Sequence, residues 1–138
     1  MKVYLEKGAF MPTRAHTTDA GLDIRAREKK VVHPFNSAVF KTGVHVQLPK
    51  GTAGVLISKS GLNVNHNITS TGLIDEGYTG EIVVKLHNHG NRPYVVEKGD
   101  KISQLVIIPV LYEPVEVDLD GLYADTERGN NGFGSSGK

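Results

Sequence analysis

The residues best suited to chemistry in this chain are polar groups gathered at a few points, most densely at its end. Arg128-Gly129-Asn130-Asn131-Gly132-Phe133-Gly134-Ser135-Ser136-Gly137-Lys138 combines an arginine, one aromatic ring, two hydroxyls and four glycines. A guanidinium grips phosphate with two parallel N–H groups, and an aromatic face stacks on a base. Glycines let backbone N–H groups come close to an anion. The combination predicts a mobile flap that closes over a nucleotide. Gly132–Gly137 also spells GxGxxG, but a dinucleotide fingerprint needs a strand before it and a helix after it. Only Lys138 follows in this sequence.

Three other clusters lie upstream. Asp19-Ala20-Gly21-Leu22-Asp23 sets two acids near a strand start, where turn chemistry is the first reading. Ser58-Lys59-Ser60-Gly61 follows an apolar run and offers a cation, two hydroxyls and a glycine, either a phosphate cradle or an ordinary polar loop. Asp75, after Leu73 and Ile74, is expected at a partly buried edge where it could orient or deprotonate water. Glycines bracket that stretch, Gly72 to Gly80, as a tight hairpin would require. His87-Asn88-His89 has a metal-like spacing but runs into Gly90-Asn91, so its histidines are expected to flank a turn. His16, His33, His45 and His66 show no ligand spacing, and neither a nucleophile elbow nor a Walker A loop is present.

The elements that must position these groups are strands. Helical periodicity is nearly absent, apart from a possible helical turn over Leu62–His66. Short apolar or alternating runs recur at Leu22–Ala26, Ala38–Phe40, Val44–Leu48, Gly54–Ile57, Ile82–Leu86, Ile102–Val110 and Val115–Val117. Val44–Leu48 alternates strictly, and Ile82, Val84 and Leu86 share one face, as in strands with one buried side. Leu105-Val106-Ile107-Ile108 reads as a strand buried on both faces. Turns are expected at Pro49-Lys50-Gly51, Asn88–Asn91 and Glu97–Asp100. Strands at this spacing predict an all-β sandwich, jelly roll or small barrel.

With 138 residues the chain fits one domain and can bury a core. Its net charge of +1 argues against broad binding to nucleic acid polymers. The absence of cysteine excludes disulfides and thiolate chemistry. No apolar run has signal or membrane length, so the expected setting is cytoplasmic. A composition shift near Gly121 divides a core, residues 1–120, from a C-terminal arm, residues 121–138.

Five stretches, Ala20–Ala26, Ser58–Leu62, Gly72–Gly80, Gly99–Leu105 and Arg128–Gly137, resemble in order and spacing the five motifs of the trimeric dUTP diphosphatases, the dUTPases. The resemblance implies a jelly roll assembled as a homotrimer, with active sites shared between subunits. It implies Mg²⁺-dependent hydrolysis of dUTP to dUMP and pyrophosphate, which limits uracil in DNA and supplies dUMP. By position, Asp23 would hold a water of the Mg²⁺ ion that the triphosphate chelates. Asp75 would activate the water that attacks the α-phosphorus. Tyr78 would stack under the deoxyribose and block a ribose hydroxyl. Backbone groups of Gly72, Leu73 and Val83 would read the uracil edge, with Thr69 close by. Lys59, Ser60, Gly61 and Gln104 would meet phosphate oxygens. Arg128 and Ser135 or Ser136 would clamp the distal phosphates, Phe133 would cover the base, and Gly134 would be a further substrate-binding residue.

The sequence departs from that family's pattern in several places. Lys59 stands where arginine precedes Ser-Gly, and lysine lacks the planar fork. Asn131 replaces a glycine in the tail, and Gly77 and Thr79 replace an acid and a longer polar residue near Asp75. Two alternatives stay open. A dCTP deaminase shares the fold and the look of Ile74–Tyr78, but has an essential glutamate where this chain has Lys85. A non-catalytic nucleotide-binding regulator would keep the fold and lose the chemistry.

Overall fold

A computed structural model describes residues 1–123, apart from the side chains of Asp120 and Tyr123. Along the chain run β1 (Lys2–Leu5), β2 (Leu22–Arg25), β3 (Lys30–Val32), β4 (Ser37–Gln47), β5 (Thr52–Ile57), α1 (Ser60–His66), β6 (Ile68–Thr69), β7 (Thr71–Ile74), β8 (Glu81–Asn88), β9 (Tyr94–Val96), β10 (Lys101–Pro109) and α2 (Leu119–Tyr123). One sheet has the order β1-β4-β8-β6, a second β2-β10-β5-β7, and a two-stranded ribbon pairs β3 with β9. Their ladders are all antiparallel. Neighbours in each sheet are often distant in sequence, which is the jelly-roll pattern of crossing connections.

Alternation builds the core. Val44 and Val46 of β4 and Ile82, Val84 and Leu86 of β8 turn inward, as their spacing predicts, and meet Leu22, Ile24, Leu56 and Leu105 of the second sheet. The ribbon closes one side with Val32 and Val96. The buried polar side chains are all satisfied among the described residues. Asn88, for one, donates to the carbonyls of Val32 and Arg92 at 2.9 and 2.8 Å. The fold therefore encloses hydrogen-bonding groups without leaving their desolvation uncompensated.

Four expectations change. The runs at Ala38–Phe40 and Val44–Leu48 belong to one eleven-residue strand, β4, bent by a bulge between them. Val115–Val117 forms no strand, since its valines are exposed and no ladder is in reach. Leu105 is fully buried, but Ile108 at the end of β10 is 39% exposed, so this strand is covered on one face only. Gly72–Gly80 is not a tight hairpin: β7 pairs with β5 in one sheet and β8 with β4 in the other. The stretch is a crossing between sheets. The expected turn residues Gly51 and Gly99 do adopt positive φ, and Ser60–His66 forms the short helix. The boundary expected at residue 120 falls within α2. Among the described residues no helix is long and apolar enough to cross a membrane.

Candidate active site

Asp23 points away from the core but is only 4% exposed, because cations and neighbouring strands cover it. Its Oδ1 accepts from Lys59 Nζ at 2.6 Å and its Oδ2 from Lys101 Nζ at 2.7 Å. Burial alone disfavours the charged carboxylate, but the two ammonium groups outweigh it and hold Asp23 below its ordinary range. Lys59 lies two residues beyond β5 and is the N-cap residue of α1, so the first turn of that helix begins at the cluster. Gln104 lies directly opposite Asp23 across the β2–β10 ladder. A Cβ at Gly21 would approach Gln104 Cβ to 3.0 Å, so the missing side chain makes room for the glutamine.

Backbone ties fix this arrangement. Arg25 Nη1 donates to the Gly99 carbonyl at 2.7 Å, and the Ala26 N–H donates to the Asp100 carbonyl at 2.8 Å. Ser103, fully buried, donates to the Ile57 carbonyl at 3.0 Å, and its hydroxyl meets that of Ser70 at 2.9 Å. Ser70 N–H in turn donates to Ser58 Oγ at 2.9 Å. Three stretches singled out in the sequence, around Asp23, Lys59-Ser60-Gly61 and Gln104, thus converge at one end of one sheet. Lys101 completes the cluster and was missed in the sequence; a lysine opening an apolar strand gave no chemical signal.

The other half lies around Asp75. Ile74 faces the core, while Leu73 is 68% exposed and Asp75 is exposed too. The expectation of a partly buried Asp75 does not hold, since none of the described residues covers the loop. Tyr78 N–H donates to the Asp75 carbonyl and Tyr78 Oη to the Glu81 carbonyl, both at 3.0 Å. Any side chain at Gly80 would run into the Tyr78 ring. Glu76 anchors the loop by accepting from Gly51 N–H and Tyr112 Oη, both at 2.7 Å. These two bonds, Tyr112's first, hold the Glu76 carboxyl below its ordinary range against some desolvation. Leu73, Asp75, Ile108 and Tyr112 line a cleft of about 490 Å³.

Where the crossing begins, two backbone edges lie open. Among the described residues β7 is the last strand of its sheet, and β8 meets β6 only at His87 and Asn88, leaving Ile82–Leu86 without a described ladder on that side. Gly72 and Leu73 are on the first edge and Val83 is on the second. Thr69 lies opposite His87, four residues from Val83 along β8, and its hydroxyl meets His89 Nε2 at 2.8 Å. It is not beside Val83. The His87 and His89 rings stack at 6.2 Å on the rim of a turn. Among the described residues no group of three or more acids and histidines could hold a metal.

The two halves share the outer face of one sheet but stand apart. Asp23 is level with Gln104, Ile57 and Thr71; Asp75 follows Ile74, which is level with Gly54 and Ile107. Four residues along and three strands across amount to roughly 20 Å at about 3.3 Å per residue and about 4.8 Å per strand. Ile57, Val55, Leu73, Val106 and Ile108 occupy the face between them, several of them substantially exposed. Arg128, Phe133, Gly134, Ser135 and Ser136 lie outside the described residues.

The pattern that defines the dUTPase family matches residues 7–137. A deoxyuridine 5'-triphosphate nucleotidohydrolase of Gloeothece citriformis is 44% identical over 136 residues, covering 96% of this chain and 92% of its own. One from Clostridium tetani is 39% identical over 137 residues, covering 97% and 93%. A dUTPase of Staphylococcus bacteriophage 80alpha, solved with dUpNHpp, superposes with a TM-score of 0.88 at 34% identity, covering 99% and 98%. The dUTPase of phage phi11 of S. aureus, solved with attention to a structural Mg(II) ion, has a TM-score of 0.78 at 32% identity, covering 85% and 95%.

Proposed function

The chain belongs to the dUTPase family, and from that we propose a cytoplasmic homotrimer that hydrolyses dUTP to dUMP and pyrophosphate. The observation that best supports this reading is the Lys59–Asp23–Lys101 cluster beside Gln104, a polyphosphate-sized concentration of charge that the core does not need. Its donor set suits a metal that arrives on the triphosphate. One carboxylate already balanced by two ammonium groups would make a poor resident Mg²⁺ site, but could hold a metal-bound water. Bound there, Mg²⁺ supplies charge compensation for the leaving pyrophosphate. Ser60, Gly61 and Gln104 would take phosphate oxygens, with Lys59 and Lys101 turning from Asp23 toward them.

The Asp75 loop acts at the other end of the nucleotide. The open edges at Gly72, Leu73 and Val83 would pair with uracil, whose N–H lies between two carbonyls. Cytosine reverses part of that pattern and would leave buried polar groups unpaired. Tyr78 would lie against the deoxyribose, and Asp75 would accept a proton from the attacking water. Catalysis requires reacting groups within about 3–3.5 Å of each other. Asp23 and Asp75 of one chain are too far apart to serve one α-phosphorus, so each site takes them from different subunits. The apolar outer face between them is the surface these subunits would cover. Arg128 and Ser135 or Ser136 would clamp the distal phosphates, and Phe133 would cover the base from an arm spanning residues 121–138, with Gly134 a further substrate-binding residue.

Incubating the full chain with dUTP, dCTP and UTP in the presence of Mg²⁺, then separating products, tests the reading. Pyrophosphate and dUMP are expected from dUTP, with UTP left essentially intact. Ammonia released from dCTP, or no turnover of any nucleotide, would overturn it.

A further inference from the structure

Strand β4 is bulged where it passes the start of β8. Lys41 lies opposite Val83, yet His45 lies opposite Glu81, so four steps on β4 match two on β8. The bulge is fixed from inside. Thr42 Oγ1 donates to the Ile82 carbonyl at 2.6 Å and accepts from Val44 N–H at 3.1 Å, and Gly43 N–H donates to Glu81 Oε1 at 2.8 Å. Gly43 takes a φ of 67°, and a Cβ there would meet Arg27 Nη1 at 2.9 Å. Bulges of this kind re-aim side chains next to functional loops. Here the side chain that is re-aimed is His45.

Its imidazole stands between two acceptors. Nδ1 is 3.0 Å from the carbonyl oxygen of Thr79, and Nε2 is 3.2 Å from Glu6 Oε1. A neutral imidazole has a single N–H, so it can satisfy one of these and turns a lone pair on the other. Only the imidazolium donates to both. Thr79 follows Tyr78, and the Tyr78 N–H closes a turn on the Asp75 carbonyl. Whatever fixes the Thr79 carbonyl therefore fixes the loop that carries both residues.

We propose that His45 is a positioning residue for dUTP hydrolysis: charged, it ties Thr79 to Glu6 and holds the Asp75–Gly80 loop in register for the nucleotide. This rests on the reading of Asp75 and Tyr78 as the working groups of that loop. The charged neighbours are consistent with it. Glu6 follows β1 and Glu81 opens β8, both favouring the cation, while Arg27 binds the second oxygen of Glu6 at 2.6 Å. Tyr4 of β1 packs its ring 5.4 Å from the imidazole, and Lys2 lines the same hollow. The Thr79 carbonyl first, then Glu6, push His45 above its ordinary value of 6.5 against some desolvation. The tie is complete below that ordinary value and is lost as pH rises through the raised one.

The test compares kcat/KM for dUTP of the full chain and of His45→Gln from about pH 5.5 to about pH 9, with the His45 ring followed by NMR. The ratio of wild type to variant is expected to be about tenfold at the acid end, the scale of one charge-assisted bond. It should fall toward one along the titration of the His45 ring. A ratio that stays constant across pH would mark a merely structural contact and overturn the proposal, as would a ratio of one throughout. If the wild type does not hydrolyse dUTP, the functional reading fails on its own, and the tie is judged by the Gly80 amide. That amide is bonded to the Thr79 carbonyl carbon and should titrate with the His45 ring in wild type, with the step moved to lower pH in Glu6→Gln. A Gly80 signal flat through the wild-type titration overturns the tie. Glu6→Gln also serves if His45→Gln does not fold.

Discussion

Lys59 illustrates how one residue can be pulled two ways. A lysine is a compact point charge on a flexible stem, where the family's arginine would present a rigid fork. That charge sits on Asp23 at 2.6 Å, sharing the carboxylate with Lys101. The carboxyl of Asp23 is held below its ordinary 3.8, so its pairing contributes in full above that value and is lost as pH falls through the lowered one. Asp23→Asn is therefore expected to lower stability by about 2 kcal/mol near neutral pH. The gap to wild type should start to narrow below about pH 4 in urea titrations and close only below the lowered value. A gap that persists unchanged into acid would show that the pairing stabilises little. Asp23 and Lys59 were legible because each sits in a short polar stretch, whereas Gln104, inside an apolar run, was reached only through the family resemblance. Lys101 and His45 were not legible: both lie inside strands, and their partners, Asp23 and Glu6, are 78 and 39 residues away. Ion pairing of that range has no local pattern.

At the scale of elements, the crossing between β7 and β8 was the hardest feature to foresee. Glycines at both ends and an acid inside fit a tight hairpin as well as a passage between sheets, because local turn chemistry does not record which sheet each strand joins. The difference matters, since a closed hairpin would pair its own backbone and leave no open edge for a base. Gly80 is what lets the crossing close on Tyr78. Gly80→Ala is expected to displace the tyrosine ring and raise KM for dUTP by about tenfold or more, with a loss of stability of about 1 kcal/mol. Unchanged KM with an intact fold would remove Tyr78 from the nucleotide. Strand β8 and the second half of β4 were the easiest elements to see, because Ile82, Val84 and Leu86 in one and Val44 and Val46 in the other alternate with polar or exposed residues. The bulge that joins the two halves of β4 was not visible, since Lys41-Thr42-Gly43 resembles an ordinary turn between strands.

For the molecule as a whole, the sequence showed the sandwich but not how incomplete its outer face is. Leu105-Val106-Ile107-Ile108 is apolar on both sides, which suggested burial on both sides. The single chain leaves Ile108 and Leu73 in the open, on the same face as Asp23 and Asp75. In the proposed trimer, that apolar pattern would serve surroundings larger than one subunit. The resemblance to a trimeric family carried that information; periodicity did not, because an isolated strand and an assembled one share the same period. Cyclic assemblies built on such patches repeat one interface around an axis, so every copy gives one surface and receives another.

The roughly 20 Å between Asp23 and Asp75 has a consequence for heredity as well as for chemistry. Two copies, each crippled at one of these residues, can repair each other. Chains carrying Asp23→Ala and chains carrying Asp75→Asn should each be almost inactive, yet unfolding and refolding them together in equal amounts should restore activity. In a random mixture about a quarter of the sites would draw an intact Asp23 from one chain and an intact Asp75 from its neighbour. Recovery near that fraction is the expected result, measured as pyrophosphate release per subunit. No recovery from well-folded mixed assemblies would mean that both acids of a site come from a single chain. Two recessive lesions in one small protein would then complement, as if they lay in different genes.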